Sequence, residues 1–413
     1  MFSAIGILLG FTVLAVLLAF KKPVWLALLA SSVVMGVVGD GPGQLLNIVV
    51  ETLQSSIAVD LVVVTFLIAV FVNLYRSSGF LARLGDELVK LLGRPRLITM
   101  FVPAVLGLLP VAGGALMSAP IVDTVGNHIG LSKRQRLFIN VWFRHVIFLV
   151  YPLSMVLITA ATLAGVDLWD VIIRQLPVAA TMVLAGYVLG FRGAGRDRGG
   201  FGGRADRAVL ARVFSPMLLA IALAVSTRPF LDRQLLEVVP LTRYSMVLGL
   251  SLAITLLITF SKSSLRSLVD AVGSRTTLEL VAAAFSAILL RNVFVGVGGP
   301  EILSHVVPTD GGAGTVLFLI AVPFAISLAT GNSMTGNVVS ISVFQALLGL
   351  GVREVSLIYS SAMVGYLASP AHLCYVYTAQ YFQVPLSAAY REMFTSSFLA
   401  LATAVGIYFL WPL

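Results

Sequence analysis

Eight consecutive residues, Thr330-Gly-Asn-Ser-Met-Thr-Gly-Asn337, set five side-chain oxygen carriers and two glycines inside an otherwise apolar stretch. Hydroxyls, amide oxygens and carbonyls freed by a helix break are hard ligands of the kind Na⁺ takes, and the N–H groups at a helix start favour an anion. This density suggests Na⁺ at Asn332, Ser333, Thr335 and Asn337, and a solute held by Thr330, Gly331 and the same four residues. Two half-helices capping each other would need fewer polar groups. A second broken run, Leu106 to Pro120, offers Gly113, Gly114 and Ser118. Its glycines let backbone approach a solute, and close helix packing through small residues explains them equally well.

Other candidates lie in apolar surroundings. Pro152 and Pro370 each interrupt a hydrophobic run and are followed two residues later by Ser154 and His372, so each run is expected to unwind and free a carbonyl; an ordinary membrane kink is the plainer reading. Arg144 beside His145 and Arg291 beside Asn292 also sit in apolar runs. A charge in hydrocarbon costs about 2.5–3.5 kcal/mol on insertion scales, so each arginine needs water or an anion. For Arg144 the choices are a solute carboxylate or Asp123, which in turn reads as a counter-ion or a proton carrier. Arg291 reads more simply as an ion pair or a snorkelling side chain. His145, Asn73 and Asn292 join Asp123 as ion-coupling candidates, while Asp60 and Glu279 fall at span ends, where stabilisation of a helix start suffices.

The elements that must position these groups follow from composition. With 59% hydrophobic and 11% charged residues, the chain lacks the polar surface of a soluble protein. Apolar runs of helical length recur and strand-like alternation does not, which predicts an all-α transmembrane protein rather than a barrel. Spans are expected at 3–20, 24–39, 57–75, 136–164, 175–191, 208–230, 244–260, 277–296, 354–380 and 393–411, with re-entrant hairpins at 97–130 and 315–350. An arm such as Leu97 to Leu109 reaches about 20 Å into a core of about 30 Å and must turn back. The first span has no basic residue before it and is expected to be retained rather than cleaved.

Charge supports this count. With both termini outside, 20 of the 27 Lys and Arg residues fall on the cytoplasmic side, which also explains the net charge of +9 without nucleic acid. An offset of 218 lays Gly113 on Gly331 and Pro152 on Pro370, and an offset of 219 lays Asn73 on Asn292 and Gly79 on Gly298. Five crossings separate equivalent points, so residues 1–191 and 208–413 read as inverted five-span repeats joined by a Gly/Arg linker at 192–207. Amphipathic stretches at 79–92 and 262–275 are expected to lie along the membrane surface.

The stretch 106–123, the Thr-Gly-Asn tip and the span count resemble the family called domain of unknown function 401, over nearly the whole chain. That family is similar to the wider ion transporter superfamily of gluconate permeases, dicarboxylate carriers and Na⁺/H⁺ antiporters. The resemblance implies scaffold and transport domains, a homodimer and an elevator-like motion. Relatives use Ser-Asn-Thr at each tip for Na⁺ and carboxylate. Here the nearest matches are Gly331-Asn332-Ser333 and Thr335-Gly336-Asn337, while the first tip reads Gly113-Gly114-Ala115. The expectation is a secondary transporter of a small organic anion in the cell membrane, in contact with lipid, using Na⁺ or H⁺ and no cofactor. A cation/proton antiporter working through Asp123 is the alternative. An intramembrane hydrolase using Ser118 and His145 is a third reading, without triad spacing to support it. No Walker A loop, His-Glu-x-x-His motif or cysteine pair occurs, and no enzyme is expected.

Overall fold

A computed structural model describes residues 2–108, 114–195, 200–234, 243–305, 307–309 and 311–411. The first half runs α1 (Phe2–Ala19), α2 (Val24–Gly39), α3 (Pro42–Gln54), α4 (Ser56–Ser77), α5 (Phe80–Leu92), α6 (Pro95–Gly107), α7 (Ala115–His128), α8 (Lys133–Val146), a 3-10 turn (Ile147–Leu149), α9 (Met155–Ala164) and α10 (Leu168–Gly190). The second half runs α11 (Arg207–Ser226), α12 (Arg228–Gln234), α13 (Tyr244–Ser261), α14 (Leu265–Val272), α15 (Arg275–Gly296), α16 (Gly299–Leu303), α17 (Ala313–Thr330), α18 (Ser333–Leu348), α19 (Val352–Ala368), α20 (Leu373–Phe382) and α21 (Tyr390–Leu410). Among the described residues there is no strand.

Eight of these helices, α1, α4, α10, α11, α13, α15, α17 and α21, are long and apolar enough to cross a membrane. The outward faces stay apolar, as Leu8 at 68% and Phe398 at 71% exposure show, whereas the middle of the bundle holds α8, α9, α18 and α19 with most of their residues buried. That inversion suits lipid as the solvent.

Several expectations need correction. Residues 40–56, read as a connection, contain α3, started by Pro42 after Gly41 and amphipathic, with Leu45, Ile48 and Thr52 buried. The runs 136–164 and 354–380, drawn as single spans, do unwind around Pro152 and Pro370 and are each two helices separated by non-helical residues. The arm α6 has the short length expected, at 13 residues, but α17 has 18 and extends about 27 Å, nearly a full hydrocarbon thickness.

Helix bounds repeat along the chain. Adding 219 to the ends of α4 gives those of α15, and adding 218 to the ends of α9 gives those of α20. The offset of 218 also maps the starts of α6 and α7 onto those of α17 and α18. The residues that stop α9 and α20, Gly165 and Gln383, are both left-handed, at φ 68° and 54°. Asn73 on α4 donates to Ser274 Oγ (2.8 Å) and Thr277 Oγ1 (3.0 Å) at the start of α15. Its counterpart Asn292 on α15 donates to Thr52 Oγ1 (2.9 Å) near the end of α3. Both asparagines therefore tie helix to helix, and neither lines the cavity described below.

Ion pairs brace the same frame. Asp60, fully buried, accepts from the Arg243 N–H (3.0 Å) and Nη1 (3.2 Å) across the two halves. Glu87 on α5 accepts from Lys90 Nζ and from the Asp206 N–H, both at 2.6 Å, anchoring the end of the linker. These two donors hold the Glu87 carboxyl below its usual range, and the carboxylate raises Lys90 in turn.

Candidate functional site

Each broken run has a local cause. Pro152 cannot donate a backbone bond, so the helix that ends with the 3-10 turn gives way to Val150–Ser154, and Ser154 then opens α9. In the second half, Ser369 Oγ donates to Leu328 O on α17 (2.6 Å) and accepts from the Ala371 N–H (3.1 Å), pinning the break to the second hairpin. Gly331, at φ 63°, lies so close that a Cβ there would sit 2.7 Å from the carbonyl of Ala371. Only glycine tolerates both the left-handed turn and that approach.

These breaks surround one cavity of about 430 Å³. Leu108, Arg144, His145, Tyr151 and Ser154 reach it from the first half; Gly331, Asn332, Ser333, Tyr366 and Cys374 reach it from the second. It extends to Val24 and Thr276 in the first turns of α2 and α15, adjoining Lys22 and Arg275 of the side read as cytoplasmic. Besides those of α2 and α15, three helix starts beside the breaks, those of α9, α18 and α20, contribute lining residues. Each start carries unsatisfied N–H groups and about half a positive charge, which with Arg144 favours an anionic group, while Glu279, ion-paired with Arg275, sets one carboxylate in the same wall.

Arg144 is 1% exposed, and its Nη1 donates to Leu106 O (3.0 Å), an end carbonyl of α6. It thus stabilises the negative end of a hairpin arm while lining the cavity. Asp123 is not its counter-ion. It pairs with Arg136, remains 40% exposed at the side chain and lies outside the cavity, because α7 carries it away from the tip. No ion pair is described for Arg291, whose buried Nε has no hydrogen-bond partner among the described residues.

Within the second tip the polar groups divide. Asn332 Oδ1 accepts from the Met334 N–H (2.8 Å) and caps α18, and Thr330 Oγ1 donates back to Ile326 O (2.7 Å). Asn337 Nδ2 donates to Ser333 O (2.9 Å). Thr335 Oγ1 and Asn337 Oδ1, fully buried, have no partner among the described residues and sit behind the lining rather than in it. Leaving such atoms unpaired costs about 1–3 kcal/mol each, which marks them as places for water or an ion.

The first tip fares differently. Gly113 lies outside the described residues, and Gly114 precedes the first turn of α7. Ser118 is fully buried and donates to Asn140 Oδ1 (2.6 Å), while Asn140 Nδ2 donates to Ala115 O (2.8 Å). This lock between α7 and α8 takes Ser118 out of the cavity and away from any role as a nucleophile activated by His145.

His145 and His372 come together although 227 positions separate them. Their ring centroids are 4.7 Å apart, with Tyr366 4.1 Å from His372. Sequence reasoning missed Tyr366 and Cys374. The available signal was Cys374 two residues after His372, one turn past a helix break.

The chain belongs to the family of proteins of unknown function DUF401, whose model matches residues 3–410. No curated protein matches it in sequence. Among solved structures it is similar to the YdaH transporter of Alcanivorax borkumensis, at 16% identity and a TM-score of 0.62, over 97% of this chain and 99% of that one. It is also similar to MtrF of Neisseria gonorrhoeae, described within a class of antimetabolite efflux pumps, at 15% identity and a TM-score of 0.57, over 90% and 84% of the two chains. At these identities the likeness is one of fold, that of a multi-pass helical membrane protein.

Proposed function

We propose that this protein is a secondary active transporter that moves a small organic anion, a carboxylate, across the cell membrane. The observation that carries the reading is the meeting of three helix starts and Arg144 around one cavity between two broken helices and a hairpin tip. Such a wall attracts a carboxylate, and breaks of this kind let backbone groups face a solute at membrane depth without exposing them to lipid. The similar folds of proteins described as a transporter and an efflux pump support it.

The matching helix bounds support a repeat of ten spans and two hairpins; the repeat is read as inverted, with both termini outside and an elevator-like exchange of the hairpin-bearing part against the rest. The protein works as a homodimer in contact with lipid, with Na⁺ or H⁺ as the coupling ion. The unpartnered Thr335 and Asn337 oxygens suit Na⁺. Asp123, the carrier in the antiporter alternative, pairs with Arg136 outside the cavity, which favours the anion reading.

The test is uptake of labelled acetate, succinate and citrate into proteoliposomes, with a Na⁺ gradient, with a pH gradient and with neither. Accumulation of one of these under one gradient is expected. Transport of Na⁺ against H⁺ with no carboxylate carried would overturn the reading in favour of the antiporter.

A further inference from the structure

We propose that His145, His372 and Cys374 form a binding site for a borderline transition-metal ion, with Zn²⁺ as the reference case, where α8 meets the start of α20. One ligand atom from each of the three lies within 4.8 Å of the other two, and all three residues are buried. Two imidazoles and a thiolate select Zn²⁺, Co²⁺, Ni²⁺ or copper over Na⁺, Mg²⁺ and Ca²⁺, which take oxygen.

The surroundings orient these donors. His145 Nδ1 faces Val141 O at 2.6 Å, and a carbonyl only accepts, so Nδ1 carries the proton and the Nε2 lone pair, met at 3.4 Å by the Tyr366 hydroxyl, is the one a metal would take. A ligating histidine is held this way by a backbone carbonyl on its far nitrogen. His372 is fully buried with neither ring nitrogen hydrogen-bonded among the described residues, a cost that plain ring stacking leaves in place and a metal bond removes at one of the two nitrogens. Cys374 occupies the first turn of α20, where the helix N–H groups face the charge of a metal-bound thiolate. Bond lengths of about 2.0–2.3 Å place tetrahedral donors about 3.5 Å apart, so side-chain rotations closing about 1 Å complete the set. His145 and Cys374 both line the cavity, which leaves the fourth coordination position open to it. None of this requires the carboxylate reading to hold.

Cys374 is the sole cysteine, so any thiolate signal reports on it alone. Tag-free protein in detergent micelles is titrated with Co²⁺. The expected result is a thiolate-to-cobalt charge-transfer band with the ligand-field bands of a tetrahedral site, saturating at one ion per chain and bleached by Zn²⁺. Cys374→Ser abolishes the charge-transfer band, His372→Gln weakens Zn²⁺ at least about 10-fold, and His128→Gln, outside the cluster, changes neither. Should the variants fail to fold, maleimide labelling of Cys374 in the unaltered protein decides, since bound Zn²⁺ slows it. Absence of the band in folded wild-type protein, its persistence in Cys374→Ser, or labelling indifferent to Zn²⁺ overturns the site.

Discussion

Replacing Gly331 by alanine asks whether the tip of the second hairpin and the break between α19 and α20 work as one unit. A new Cβ there would meet the Ala371 carbonyl at 2.7 Å and its Cβ at 2.9 Å, with φ at +63°. The left-handed backbone costs an alanine about 1–2 kcal/mol. Relieving the clash costs about 1–3 kcal/mol more, because backbone rather than a flexible side-chain end must yield. Gly349 has the same φ of +63° with nothing within 4 Å, so Gly349→Ala carries the first cost alone. The difference between the variants, about 1–3 kcal/mol, isolates the contact between tip and break. Thermal unfolding in micelles followed by tryptophan fluorescence, and uptake of acetate, succinate and citrate by proteoliposomes, read the two effects. Gly349→Ala is expected to unfold slightly earlier and retain uptake. Gly331→Ala is expected to unfold earlier still and lose uptake about 100-fold, the loss that a shift of about 1 Å brings to positioned groups. Equal midpoints and equal uptake in the two variants would refute the coupling.

Three further outcomes are expected. Arg144→Gln raises the KM for the transported carboxylate about 10-fold or more, as loss of a charged hydrogen bond worth about 1.5–3 kcal/mol requires; an unchanged KM confines Arg144 to capping α6. Asp60→Asn destabilises the protein by about 3 kcal/mol because Arg243 loses its buried partner, whereas Asp60→Leu with Arg243→Met stays near the original midpoint in denaturant unfolding. Because the folded Glu87 carboxyl titrates below its usual value, its hold on the linker is complete above about pH 4.3 and is lost as pH falls through the folded value. Limited proteolysis of the linker should accelerate over that range, and Glu87→Gln should make cleavage fast at every pH.

Much of the frame was legible because helix breakers and apolar lengths are local properties. Pro152 and Pro370 marked both interruptions, and the offset that aligned Asn73 with Asn292 also aligned the ends of α4 with those of α15. Partners were harder to read, since they depend on how helices turn about their axes. Asp123 and Arg144 share an apolar neighbourhood in the chain, yet α7 and α8 present Asp123 to Arg136. Asn73 finds Ser274 some 201 positions away, a clasp between helices that its own apolar run did not announce. Cys374, a lone cysteine without a disulfide partner in the chain, gave no sign of a ligand, and only the fold brings His145 to it. The helix α3 escaped because its buried face is one narrow stripe on a half-polar segment.

The ten-residue helices α9 and α20 begin at corresponding places, one behind Ser154 and the other behind His372. Unlike residues stand at these twin positions, as they do where Gly165 and Gln383 end the same two helices, so the two breaks present different donors and acceptors and are not interchangeable.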